Sequence, residues 1–344
     1  MILFNSDYTE GALPEIIDAL VRTNMEQTVG YGEDDYCAAA REYIRRDCEA
    51  PNADVHFIVG GTQTNLLIIS SVLRPHQAAV CAKSGHINTH ETGAIEATGH
   101  KVITVEGELG KLSAADILKV YKTHYEDETH EHIAQPKLVY ISHPTEWGTL
   151  YTKKELMEIS KACRKCGFYL YLDGARLGYG LCATGSDLTL PDIAECCDAF
   201  YIGGTKCGAL FGEAVVISNR DLCEDFRYCM KQKGAMLAKG RLLGVQFSEL
   251  FRDGLYVRAC GKANRLAMKI RDAFAAKGYG FFFDSVTNQQ FPILKNEDIA
   301  KLSEKYGFLP IEKIDDDNTA VRFCTSWATS EDNVEKLIAD IASL

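Results

Sequence analysis

Basic residues are scarce in this sequence: 37 Lys and Arg stand against 48 Asp and Glu, a formal net charge of −11. A surface of that sign repels phosphodiester backbones and anionic lipid, which argues against nucleic acid or a membrane as partner. Long apolar runs are missing too, and no stretch approaches the roughly 18 residues of a membrane span. The opening MILFNSDYTEG has neither the basic start nor the apolar stretch of an export signal, so the expected setting is the cytoplasm. There the thirteen cysteines, odd in number and spread along a long chain, read as reduced thiols, not a disulfide framework. Cys163/Cys166 and Cys196/Cys197 have no second pair at finger-like spacing; the expectation is core thiols and no metal. Also absent are an internal repeat, a long Pro/Ser linker and the G-x-G-x-x-G of a dinucleotide site.

What is present is an ordinary globular composition, 46% hydrophobic and 25% charged over 344 residues, enough for a large domain and a smaller one. Between about residues 36 and 218 helical and strand-like segments alternate. YCAAAREYIRRDC, QTNLLIISSVL and SAADILKVYKTHY have helical spacing, while VHFIVGG, AAVCAK, KVITVE, KLVYIS, FYLYLDGAR, DAFYIGG and EAVVIS read as strands. TKKELMEISKACRKCG opens on a Thr cap and closes on Gly167. Strands separated by helices predict an α/β domain with a mostly parallel sheet covered on both faces. From about 221 to 275 the rhythm changes to long helices, and GFFFD, QQFPIL and TAVRFCTSW are short strands of a small α+β unit. The expected division is 1–245 for an N-terminal arm and large domain, and 246–344 for the small domain. HYEDETHEH (124–132) and IDDDNT (314–319) read as solvated loops.

One residue poses the functional question. In FYIGGTKCGALFG an apolar strand runs into small residues and then Lys206, and a lysine rarely sits in a core unless it is paired or reactive. In YLYLDGARLG a second strand ends in Asp173, Gly174 and Arg176, at the carboxyl edge where open α/β sheets place ligands. Alone, Asp173 reads as a surface ion-pair partner. Together with Lys206 it suits pyridoxal phosphate, which needs a lysine for its aldehyde and a carboxylate for its ring nitrogen. A phosphate cradle is available where VHFIVGGTQTNLL turns from strand to helix: Gly61, Thr62 and Gln63 lie at the helix N-terminus. AKSGHINTHETGA puts His86 and His90 on a loop at the same edge, where an imidazole can stack on a pyridine ring. Ser142, His143, Thr145 and Glu146 sit at a further strand end, able to meet a substrate side chain.

GGTQTN, SGHINTHETGA, LDGARLG, GGTKCGALFGEAVV and VRFCTSWAT, in this order, resemble the low-specificity L-threonine aldolases of the β-eliminating lyase group, pyridoxal-phosphate enzymes with the aspartate-aminotransferase-like fold (fold type I). The resemblance runs from NSDYT to SWAT. It implies Lys206 as the lysine that carries the cofactor, with Thr205 beside it in the cofactor-binding set, Asp173 as the ring-nitrogen partner and His86 as the stacking ring. It also implies Arg176 by the cofactor hydroxyl or substrate carboxylate, and Ser6 and Arg322 as carboxylate contacts. VGYGEDD is similar to a segment that lines a neighbouring subunit's site in family tetramers, which implies Tyr31 and Glu33 as interface residues, with Lys239 or Lys233 reaching a neighbour's phosphate. Where bacterial members carry a histidine just before the glycine of TEWGTLY, this chain has Glu146 and Trp147, which leaves Glu146, His86 or a water between them as the base. The implied activity is cleavage of L-threonine or L-allo-threonine to glycine and an aldehyde by a cytoplasmic homo-oligomer, dimer or tetramer. A β-eliminating lyase or aminotransferase, or a non-catalytic protein that kept the fold, are the alternatives.

Overall fold

The computed structural model describes residues 1–344. Its strands are β1 (Ile2–Leu3), β2 (Asp54–Ile58), β3 (Gln77–Ala82), β4 (Lys101–Val105), β5 (Gln135–Ser142), β6 (Tyr169–Asp173), β7 (Ala199–Gly203), β8 (Glu213–Ile217), β9 (Phe281–Phe283), β10 (Gln289–Lys295), β11 (Tyr306–Gly307), β12 (Leu309–Lys313) and β13 (Asn318–Cys324). Seven of them form one sheet in the order β2-β8-β7-β6-β5-β3-β4. The run from β4 to β7 is parallel, as expected from the βα alternation. β3, β7 and β8 are buried along their whole length because helices cover both faces. Successive side chains therefore feed two separate cores: Phe200 and Ile202 pack on one face, Ala199 and Tyr201 on the other.

One strand departs from the parallel expectation. β8 is antiparallel to both β7 and β2. The link from β7, residues 204–212, is too short for a crossover, which takes a dozen residues or more, so the chain folds straight back. That return keeps Glu213, the first residue of β8, at the same sheet edge as the last residues of β7.

The helices start and stop for local reasons. Thr152 Oγ accepts from the Glu155 N–H at 3.2 Å, Glu155 Oε2 accepts from the Thr152 N–H at 2.7 Å, and Gly167 ends helix Lys153–Cys166 in the left-handed region at φ 67°. The long helical stretch resolves into Phe226–Gln232, Arg241–Arg252 and the 22-residue Leu255–Ala276. The division expected at 245/246 falls inside helix Arg241–Arg252. A four-stranded antiparallel sheet, β12-β13-β10-β9, follows the long helix. Its core takes in Phe4, because β1 pairs in parallel with β11 and the Cys324 N–H donates to the Phe4 carbonyl at 2.7 Å. All thirteen cysteines are free thiols, and no helix is long and apolar enough to cross a membrane.

Candidate active site

The carboxyl ends of β2, β3, β5, β6 and β7 open on one cleft of about 370 Å³. Two glycines allow its floor to form. A Cβ on Gly174 would lie 1.9 Å from the Tyr201 carbonyl oxygen, and one on Gly203 2.3 Å from the Ala175 carbonyl, so only glycine lets the ends of β6 and β7 approach. That approach puts Asp173 and Lys206 in the walls of the same cleft, with Arg176, Thr205, Gly61, Thr62, His86 and Glu146. The Lys206 ammonium has no ion-pair or hydrogen-bond partner; it lies 6.0 Å from the centroid of the Tyr8 ring.

Asp173 is buried and held by four donors. Tyr140 OH (2.6 Å) and Asn65 Nδ2 (3.1 Å) reach Oδ2; Tyr201 OH (2.5 Å) and the Ala175 N–H (2.9 Å) reach Oδ1. Burial by itself raises its pKa, but the His86 charge, the two tyrosine hydroxyls and the Ala175 N–H outweigh it and hold the carboxyl below the ordinary value. The site thus favours the carboxylate in a place where burial alone favours the neutral acid.

Helix Gly61–Val72 begins without a side-chain cap, and the N–H groups of Gly61, Thr62 and Gln63 have no partner in the chain. Gly60, Gly61 and Thr62 face the cleft, so the free N–H groups and the positive end of the helix dipole are directed at it. The Gln63 side chain does not line the cleft: its Nε2 donates to the Lys233 carbonyl at 3.1 Å. At the adjoining ends of β7 and β8, Thr205 Oγ donates to Glu213 Oε1 (2.9 Å) and the Gly204 N–H to Oε2 (3.0 Å). Burial pushes the Glu213 carboxyl up to about 8, in spite of the Thr205 bond and the Lys206 charge.

His86 opens the short helix His86–Thr89 after β3 and meets Glu91 through Nδ1 at 2.8 Å. Burial disfavours its charged form, yet the Glu91 hydrogen bond and the Asp173 charge raise its pKa above the usual value. Glu146 Oε1 accepts from the His86 N–H (3.0 Å) and from Ser142 Oγ (2.7 Å), and burial raises its carboxyl. Ser142 and Thr145 share the cleft wall, but His143 does not. His143 is wholly buried, its Nδ1 accepts from the Tyr151 N–H, and burial lowers its pKa to about 4. Strand alternation sends Ser142 and His143 to opposite faces, which separates them. His90 stands exposed beside His86, rings 5.6 Å apart, and is not in the cleft wall.

Arg176 reaches the cleft with its fork occupied. Nε and Nη2 donate to Asp7 at 2.7 and 2.9 Å, and Asn288 Nδ2 donates to the same carboxylate at 2.9 Å. Arg322 Nη2 donates to the Asn5 carbonyl (3.1 Å), while Arg322 Nε and Ser6 Oγ are buried without partners. Neither Ser6 nor Arg322 is in the cleft wall; their buried, partnerless atoms are ones that a bound carboxylate could satisfy. Tyr31 and Glu33 stand away from this cleft: Tyr31 is exposed under the Lys231 ammonium, and Glu33 pairs with Arg227. Lys233 and Lys239 form no ion pair.

Beyond the residues expected from sequence, Asp7, Tyr8, Asn65, Glu91, Tyr140, Tyr201 and Glu213 contact the residues of the site. Tyr140, Tyr171 and Tyr201 do leave a signal, since they sit near the strand ends in VYIS, YLYLD and FYIGG. Tyr140 and Tyr171 are register partners, and Tyr201, two residues beyond the β7 partner of Tyr171, shares the same sheet face with them.

Comparison with known proteins agrees with this geometry. Residues 4–296 match the family described as beta-eliminating lyase. A low specificity L-threonine aldolase of Pseudomonas sp. is 31% identical over 348 residues, covering 99% of this chain and 97% of the relative. The threonine aldolase structure of Leishmania major shares 46% identity at a TM-score of 0.97, covering 100% of this chain and 99% of that one. A Thermus thermophilus aspartate aminotransferase, at 13% identity, TM-score 0.69 and coverage of 100% and 91%, shares the fold alone. The chain belongs to the beta-eliminating lyase family and has the aspartate-aminotransferase-like fold.

Proposed function

We propose that this protein is a pyridoxal-phosphate-dependent aldehyde-lyase of the L-threonine aldolase type, cleaving L-threonine or L-allo-threonine to glycine and acetaldehyde. The observation that carries the reading is the unpaired Lys206 ammonium and the four-donor Asp173 carboxylate in one cleft. The residues fit the cofactor. The uncapped N–H groups of Gly61, Thr62 and Gln63 would hold its phosphate, and a Cβ at Gly61 would come 3.1 Å from the Tyr201 hydroxyl. Thr205, bonded to Glu213, stands beside them. When bound, pyridoxal phosphate supplies an electron sink for a bond at the substrate's Cα.

The chain supplies everything else. Lys206 would hold the cofactor through its amine, Asp173 would keep a proton on the ring nitrogen, and His86 would cover the ring. Arg322 Nε and Ser6 Oγ, both without partners in the chain, receive the substrate carboxylate, with Arg176 held nearby by Asp7. Fixing that carboxylate orients the Cα–Cβ bond, which selects cleavage over proton loss. Glu146 has Oε1 engaged by Ser142 and the His86 N–H, which leaves Oε2 to take the β-hydroxyl proton, directly or through a water beside His86. Two or four copies complete one another's sites in the cytoplasm, Tyr31 and Glu33 from the arm and Lys239 or Lys233 reaching a neighbour's phosphate position.

The test is a coupled assay. Purified protein with pyridoxal phosphate and L-threonine should release acetaldehyde and glycine in equal amounts, with neither pyruvate nor 2-oxobutanoate; ammonia release without aldehyde would overturn the reading. Lys206→Ala should lose both turnover and the yellow colour of the loaded protein.

A further inference from the structure

Glu91 plays no part in the reading above, yet its position is costly and well determined. Its side chain has 0% exposure, and Oε2 is buried with no donor. Leaving a buried carboxylate oxygen unpaired costs its full desolvation, so a purely structural role would favour an apolar or neutral residue there. What Glu91 does touch is specific. Oε1 lies between two nitrogen donors, His86 Nδ1 at 2.8 Å and Asn65 Nδ2 at 2.6 Å. The Asn65 amide cannot turn, because Tyr171 OH donates to its Oδ1 at 2.7 Å while Nδ2 also reaches Asp173 Oδ2 at 3.1 Å. An unbroken line of hydrogen bonds therefore joins the imidazole in the cleft wall to the carboxylate beneath it.

We propose that Glu91 is a positioning residue for His86: it accepts the Nδ1 proton, fixes the ring's orientation, and leaves Nε2 as the nitrogen free to exchange protons in the cleft, with Asn65 tying this pair to Asp173. An acceptor at Nδ1 determines which ring nitrogen is protonated, and His86 Nε2 has no bond within the chain. The direction of the His86 titration agrees, since the Glu91 bond is the largest influence opposing burial there. The other groups around the ring are Asp173 from β6, Lys206 after β7, Glu146 after β5 and the stacked His90. None of these bonds a ring nitrogen; Glu91 does.

The proposal rests on the lyase reading only in its activity arm, so its main test does not depend on that reading. Full-length protein with 15N-labelled histidine, free and loaded with pyridoxal phosphate, is titrated by NMR, with His86→Phe identifying the His86 signals. Wild type should show the Nδ1–H tautomer in the neutral range. In Glu91→Gln the midpoint should fall by about one pH unit, as expected for loss of an opposite charge at contact. Glu91→Ala should lose the single tautomer. In the activity arm, the effect of Glu91→Gln on kcat should shrink to within about twofold once His86 is already Phe. A wild-type Nε2–H tautomer, an unchanged midpoint in Glu91→Gln, or a kcat loss that persists in full in the His86→Phe background would each overturn it. The wild-type spectrum alone decides the tautomer should a variant fail to fold.

Discussion

At the scale of single residues, the site is governed by charges that burial would abolish and neighbours retain. Asp7 and Arg176 show this most simply: the Asp7 side chain has 0% exposure and the arginine 15%. Removing one member of such a pair strands the other, so Asp7→Ala should lose about 3–5 kcal/mol in urea unfolding, and a loss under about 1 kcal/mol would mean that Arg176 finds another partner. His143 behaves in the opposite sense. It is buried neutral, with its pKa lowered to about 4 from an unfolded value near 6.5. The unfolded chain therefore binds the extra proton first, and stability is lost as pH falls from about 6.5 to about 4. Over that window the loss from this group is about 3 kcal/mol by linkage, and His143→Gln should flatten the pH dependence of urea unfolding by that order. An unchanged slope would show that His143 titrates normally.

At the scale of elements, the carboxyl ends of the strands do the positioning, and their contact depends on glycine. With a Cβ at Gly174 only 1.9 Å from the Tyr201 carbonyl, Gly174→Ala must push the ends of β6 and β7 apart. It should cost about 3 kcal/mol or more in stability and move Asp173 relative to Lys206, seen as a weaker affinity for pyridoxal phosphate; wild-type affinity would contradict the account. Much of this level was legible in the sequence. The βα alternation, the caps at Thr152 and Gly167, and the strand-end placement of Asp173 and Lys206 all follow from local pattern. The reversal of β8 did not, because an apolar strand reads the same in either direction and only the length of its link distinguishes them. Glu91, Asn65 and Asp7 were invisible for another reason: each acts through partners 5 to 281 residues away, and no spacing rule marks a hydrogen bond made by the fold. His143 misled because adjacency to Ser142 says nothing about which face of a strand a side chain takes.

At the scale of the whole molecule, the cleft depends on both ends of the chain. Residues 2–3 pair with β11 and Phe4 bonds to β13 of the C-terminal sheet, Asp7 then crosses to Arg176 after β6, and Asn288 between β9 and β10 closes on the same carboxylate. The segment Asn5–Tyr8 is thus a strap linking the small sheet to the large one, and Tyr8 at its end faces Lys206. If sites are shared between copies, mixing Lys206→Ala protein with Tyr31→Ala protein and allowing subunits to exchange should restore part of the activity that each lacks; no recovery, with mixed oligomers present, would place Tyr31 outside the catalytic unit.

The central claim is that Lys206 and Asp173 hold opposite sides of one pyridoxal phosphate. Borohydride treatment of the yellow protein followed by peptide mass spectrometry tests it most directly. The account predicts one reduced pyridoxyl phosphate per chain, on the peptide that contains Lys206, and little or no labelling in an Asp173→Ala variant at limiting cofactor. A label on another lysine, or none on a protein that still cleaves threonine, would contradict it.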